Sequence, residues 1–261
     1  MASIADFLVI AESVYQPDPE NHVPARWRVQ RWEMATWYGN GFQGGIFEDD
    51  REVIVAYSGT KGGPTTAPIS QNSANVRIGV LVIPNMAGAG RTLVGWAERN
   101  RGNKPISIVG HSLGGALAQV TGAWSGHPFI SFNGPGMAAH LKVAAFNIFK
   151  PRQMARSIKA QTGGSAVGLC INVRGDFVGS YGLGHIGEVV ELTPPAGRDT
   201  HDLDTISDSL SSEQLNGGPW NLSTHWPVLP FSGTAPQIGG IRSSGPSLTT
   251  LMRQRLGTNI G

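Results

Sequence analysis

Residues 106–124 limit the fold more than any other stretch. Ile106-Ser107-Ile108-Val109 is a short, β-branched apolar run of the kind that forms a buried strand. It passes through Gly110-His111-Ser112-Leu113-Gly114 straight into a helix rich in alanine and leucine, ending near residue 124. A strand joined this tightly to a helix starts a β-α unit, and the next strand, Phe129 to Phe132, is expected beside it and parallel to it.

The rest of the chain repeats this alternation. Ser3 and Asp6 have the spacing of a capping box, with Ile4, Leu8, Ala11 and Tyr15 on one helical face. Arg31 to Tyr38, Gly45 to Glu48 and Glu52 to Ser58 read as strands joined at Gly39-Asn40-Gly41 and Asp49-Asp50. Residues 88–100 read as a helix, and 138–160 as a helical region broken at Pro151. Leu169 to Val173 and Gly187 to Leu192 are further strands, while 194–224 is polar throughout. The expectation is one α/β domain over 1–261, with a mostly parallel sheet and helices on both faces. Within it, 227–261 is a C-terminal extension rich in Pro, Gly and Ser.

Composition narrows the function classes. Charged residues are 15% and apolar ones 40%, the balance of a packed globule rather than a disordered chain. Net charge is +2 with no Lys/Arg run, so no nucleic-acid partner is expected. The single cysteine, Cys170, excludes an internal disulfide framework and a Cys-rich zinc site, and its apolar neighbours point to a buried, inert thiol. No run approaches the roughly 18 apolar residues of a membrane span. Asp6 and Glu12 break up the apolar start, which does not read as a standard secretory signal. The expected location is the cytoplasm, or outside it by a route that needs no cleaved signal. No cofactor is expected. His201, Asp202 and Asp204 cluster, but an exposed polar loop explains them without a metal.

Gly110-His111-Ser112-Leu113-Gly114 fits G-x-S-x-G, and the strand before it and helix after it are the context that pattern needs. Such a turn forces the central residue into a strained conformation with its side chain exposed, and flanking glycines avoid backbone collisions. A serine hydroxyl attacks only when a base takes its proton. On such a fold the acid and then the base follow the serine in the chain. Asp176 follows a strand in a glycine turn, the place from which a carboxylate orients an imidazole. His185 precedes a strand closely and is expected to shape that loop. His201 and His225 both satisfy the order rule, with His225 preferred because Trp220 and Trp226 flank it. The oxyanion donors are expected to be the N–H groups of Leu113 and of Thr60, which follows the Val53 strand at Ser58-Gly59.

These residues resemble the class 3, or fungal-type, lipase family of the α/β-hydrolase fold. The resemblance rests on the strand into Ser58-Gly59-Thr60, the run from Gly110 to Ala118, Phe132-Asn133-Gly134-Pro135-Gly136, and Asn172 to Val178 followed by His185 to Leu192. It spans about residues 1–226. It implies serine-dependent hydrolysis of lipid esters by a lipase or phospholipase, with Ser112 as nucleophile, Asp176 as acid, His225 as base, and Thr60 and Leu113 at the oxyanion. The implied partner is a lipid ester at a membrane or lipid surface; an inhibitor or secretion partner is not specified. By the same resemblance residues 61–86 stand where a lid stands, and 196–224 is a second candidate flap. A small-ester esterase or thioesterase, a bacterial lipase effector delivered by a secretion machine, and a non-catalytic hydrolase-fold binding protein are the alternatives. Gly39 to Gly44 fits G-x-G-x-x-G formally, but a turn and strand follow it where a dinucleotide site needs a helix.

Overall fold

Seven strands line up in chain order in one sheet. They are β1 (Arg28–Met34), β2 (Gln43–Glu48), β3 (Val53–Tyr57), β4 (Ile106–His111), β5 (Phe129–Phe132), β6 (Gly168–Val173) and β7 (Glu188–Leu192). The computed structural model describes residues 2–34, 42–59, 86–162, 167–182 and 184–217. β1 to β3 pair antiparallel and β3 to β7 pair parallel. The mostly parallel sheet with helices on both faces is the α/β-hydrolase arrangement expected from the sequence.

Side-chain alternation along the parallel strands divides the apolar residues between two cores. Val53, Val55, Tyr57, Ile108, Phe129 and Cys170 face one side. There they meet α2 (Ala87–Asn100), α3 (Leu113–Ser125), α4 (Ala138–Ala144) and α5 (Pro151–Thr162). Ile54, Ala56, Val109, Ile130, Ile171 and Val190 face the other side. That side is covered by α1 (Ile4–Ser13) and by α6 (Leu203–Asp208), which precedes the short α7 (Ser212–Asn216). Strands buried on both faces explain why their sequences are continuous apolar runs.

Local chemistry sets the ends of these elements. At α1 the capping box closes as its spacing predicts: Asp6 N–H donates to Ser3 Oγ at 3.2 Å and Ser3 N–H to Asp6 Oδ2 at 2.7 Å. Cys170 is buried, and burial pushes its thiol pKa up, consistent with an inert core residue. Two segments differ from the expectation. The helical region after β5 is interrupted at 145–150, and Pro151 opens α5 instead of breaking a helix, because a first helical residue needs no N–H. The polar stretch after β7 holds α6, whose Ile206 is fully buried against the sheet, with Leu210 buried just beyond it. The turn at 39–41 and the lid candidate before Met86 lie outside the described residues.

Candidate active site

The parallel strands all deliver their ends to one edge of the sheet, where ligand crevices form in such folds. β4 ends there and turns at Ser112 into α3. Ser112 has φ 57° and ψ −127°, and with Asn133 (φ 45°) it is one of two non-glycine residues at positive φ among the described residues. Such a conformation costs on the order of 1–3 kcal/mol and persists only where the surroundings enforce it. Here the enforcement is steric. A Cβ on Gly110 would lie 2.1 Å from the Gly114 carbonyl oxygen, and one on Gly114 would lie 2.2 Å from that of Tyr57. Only glycines let the helix approach the strands this closely, so the serine between them is turned outward.

A hydrogen-bonded chain runs through this serine. Ser112 Oγ lies 3.0 Å from His201 Nε2, and His201 Nδ1 lies 2.8 Å from Asp176 Oδ1. The Asp176 carboxylate can only accept, so Nδ1 carries the ring proton and Nε2 is left to accept from the serine hydroxyl. Asp176 and His201 are buried, at 2% and 7% exposure, while Ser112 is partly open. The second carboxylate oxygen of Asp176 accepts the Gly179 N–H at 2.6 Å. The glycine is required there, since a Cβ would stand 2.9 Å from that oxygen.

The loop carrying His201 is fixed from three directions. Its own N–H donates to Asp199 Oδ1 at 2.9 Å, a local turn. Its carbonyl accepts from His111 Nε2 at 2.8 Å. The Asn133 amide donates to the Thr200 carbonyl at 3.0 Å, and its Oδ1 accepts the Val173 N–H at 2.8 Å. Asn133 thereby ties the loop of His201 to the strand that leads to Asp176. The left-handed conformation that aims it is one asparagine tolerates better than most residues.

His111 and Tyr15 extend the scaffold to β3. Tyr15 Oη accepts the Gly59 N–H at 2.7 Å and lies 3.1 Å from His111 Nδ1. Because Nε2 donates to a carbonyl, Nδ1 is the acceptor of the tyrosine proton. Burial, with the neighbouring His201 adding to it, pulls the His111 pKa down from 6.5 to about 3, so the ring is neutral. Burial also raises the Tyr15 pKa, which keeps the phenol a donor. One chain of bonds therefore connects the end of β3, the Ser112 turn and the loop of His201. Gly59 itself is packed against the site: a Cβ there would fall 2.8 Å from that of Ser112.

Leu113 opens α3, so its N–H has no partner within the helix and sits at the positive end of the helix dipole, next to Ser112. Of the sequence-predicted residues, Ser112, Asp176 and Leu113 come together at this edge. Thr60 and His225 lie outside the described residues, and the imidazole joining Ser112 to Asp176 is that of His201. The reading of His201 as part of an exposed polar loop is corrected by its burial. His185 shapes the Asp176 loop as expected, with Nε2 3.1 Å from the Gly179 carbonyl and 3.2 Å from the Asn172 amide nitrogen. Asn133 and Tyr15 have roles that the sequence does not announce. Among the described residues no group of three or more His, Cys, Asp or Glu is arranged to hold a metal ion, and no helix is long and apolar enough to cross a membrane.

Comparison with known proteins adds a family. The Tle-like phospholipase domain matches residues 9–163, more than half of the chain, a span that holds Ser112 and Leu113 and ends before Asp176 and His201. No curated protein matches. Among solved structures, the Lip2 lipase of Yarrowia lipolytica aligns over 82% of this chain and 89% of its own, at 15% identity and a TM-score of 0.45. The mono- and diacylglycerol lipase of Aspergillus oryzae aligns over 82% and 91%, at 12% identity and a TM-score of 0.44. The triacylglyceride lipase of Rhizomucor miehei aligns over 73% and 79%, at 11% identity and 0.42.

Proposed function

The chain belongs to the Tle-like phospholipase domain family and is a carboxylic ester hydrolase of lipids; from that premise we propose that Ser112, His201 and Asp176 carry out the hydrolysis, with phospholipid as substrate. The continuous hydrogen-bond chain from Asp176 through His201 to Ser112 Oγ supports this reading most directly. In the first half-reaction His201 Nε2 takes the Ser112 proton as Oγ bonds to the ester carbonyl carbon. The carbonyl oxygen becomes an oxyanion facing the Leu113 N–H, with Thr60 as the second donor suggested by the sequence. Collapse breaks the ester C–O bond, and the His201 proton leaves with the alcohol. In the second half, His201 deprotonates a water that attacks the acyl-enzyme. The fatty acid departs and Ser112 regains its proton. Asp176 holds the imidazole in the required tautomer and stabilises it when charged. In this reading His201, not His225, is the base.

The test is hydrolysis of short and long p-nitrophenyl esters, triacylglycerol emulsion and phospholipid vesicles by wild type beside Ser112→Ala. Turnover is expected to fall by a factor on the order of 10⁴ to 10⁶ in the variant, with vesicles the preferred substrate of wild type. Equal activity in the two proteins refutes the role of Ser112. Preference for short, monomeric esters replaces the phospholipase reading with that of a small-ester esterase.

A further inference from the structure

The turn between α4 and α5 carries apolar side chains that the fold leaves bare. Phe146 is 83% exposed, Ile148 71% and Phe149 90%, preceded by Val143 at 64%. Each such side chain forgoes the gain that burial provides, and four within seven residues is not the scatter of single exposed apolar residues common on protein surfaces. Phenylalanines with this little cover stand out from the surface rather than lining a groove.

The charges flanking the turn along the chain share one sign. Lys142 and Lys150 bracket it, and Arg152 and Lys159 lie on the exposed face of α5. Arg156 lies over the Trp124 ring at 5.6 Å. Among the described residues Lys142, Arg152, Arg156 and Lys159 have no ion-pair partner. No Asp or Glu occurs anywhere from Arg99 to Gly175, although the whole chain is only +2. The positive charge is thus concentrated around the bare turn. The guanidinium of Arg156 reports the same field, its pKa lowered by burial and then by Arg91 and Arg152.

We propose that the 143–150 turn and the exposed face of α5 dock the enzyme on an anionic phospholipid bilayer, the phenylalanines entering the headgroup boundary and the lysines and arginines lying among the lipid phosphates. A protruding aromatic pair needs a soft phase that closes around it, and a fluid bilayer provides one without a shaped pocket. A stretch of chain that carries cations and no acid matches a surface of negative headgroups. The purpose of this docking rests on phospholipid being the substrate, but binding is measured apart from hydrolysis.

The experiment is flotation of the full chain carrying Ser112→Ala, so that vesicles stay intact, with phosphatidylcholine alone or mixed equally with phosphatidylglycerol. The Ser112→Ala protein should bind the mixed vesicles and bind less as salt rises. Adding Lys142→Gln, Lys150→Gln and Lys159→Gln should weaken binding about a hundredfold, roughly fivefold per cation. Adding Phe146→Ser and Phe149→Ser should weaken it at least about tenfold. With Ser112 restored, the double phenylalanine variant should keep its melting temperature and its rate on a monomeric short-chain ester while losing activity on vesicles. Equal binding by all three proteins, binding that ignores lipid charge, or no binding overturns the proposal. So does a wild-type dimer that the phenylalanine substitutions dissociate. If flotation behaves as expected but wild type hydrolyses no ester, docking stands and the hydrolase mechanism falls.

Discussion

Lowering the pH from 7 to 5 should remove about 4 kcal/mol of folding stability through two buried histidines alone. In the folded protein burial holds His111 and His185 neutral, with pKa values of about 3 and about 4 against an ordinary 6.5. The unfolded chain takes up a proton on each ring as pH falls through 6.5, and the folded chain does not. The stability is therefore complete above roughly pH 6.5 and is lost as pH falls toward the folded values. At pH 5 each unfolded ring favours its charged form by about 2 kcal/mol, which gives about 4 kcal/mol for the pair. That is a large part of the 5–15 kcal/mol typical of a domain. His140 shifts in the same direction for the same reason, with a pKa of about 4. Asp202 works the other way, its carboxyl raised by burial and by Asp199, but it is exposed and contributes little. Urea unfolding followed by tryptophan fluorescence at the two pH values measures the difference. His185→Gln should remove about half of it. A difference below about 1 kcal/mol would show that these rings are not held neutral by the fold.

Two further substitutions probe the scaffold around the proposed triad. Tyr15→Phe leaves the Gly59 N–H and His111 Nδ1 without their partner, so stability should fall by about 2–4 kcal/mol and kcat should drop with KM nearly unchanged; wild-type kcat would refute the link from β3 to the nucleophile turn. Asn133→Ala removes the bonds to Val173 and Thr200 and puts a side chain at positive φ that alanine resists, so kcat should fall about 10- to 100-fold, measured beside a thermal melt; unchanged kcat in a folded variant would show that the base loop is positioned without it.

The strained turn at Ser112 was legible because its chemistry is local. Strand, glycines and helix are adjacent in sequence, and the two glycines that a Cβ would drive into backbone are the ones the pattern contains. The place of Asp176 at the same edge was legible for a related reason, as the first carboxylate past the end of a strand. The place of His201 was harder to read. His201 reaches the site because α6 docks on the sheet, and the signal for that docking is the spacing of Leu203, Ile206 and Leu210, one helical face within an otherwise polar stretch. The polar neighbours hid that periodicity, while the tryptophans around His225 suggested an anchor. The Asp199 side chain caps the His201 N–H two residues on, a local cue that also fits any surface turn. Asn133 and Tyr15 act through contacts 40 and 96 residues away, with Val173 and His111. Spacing in one sequence carries no record of such partners.

The identity of the base is the centre of the mechanism, and one comparison tests it: turnover of phospholipid vesicles and a short-chain ester by His201→Ala and His225→Ala beside Ser112→Ala. His201→Ala should lose turnover on both substrates by a factor on the order of 10⁴ to 10⁶, as Ser112→Ala does, while His225→Ala stays within a few-fold of wild type. Near-normal turnover in folded His201→Ala, with the loss falling on His225→Ala, would contradict the triad of Ser112, His201 and Asp176.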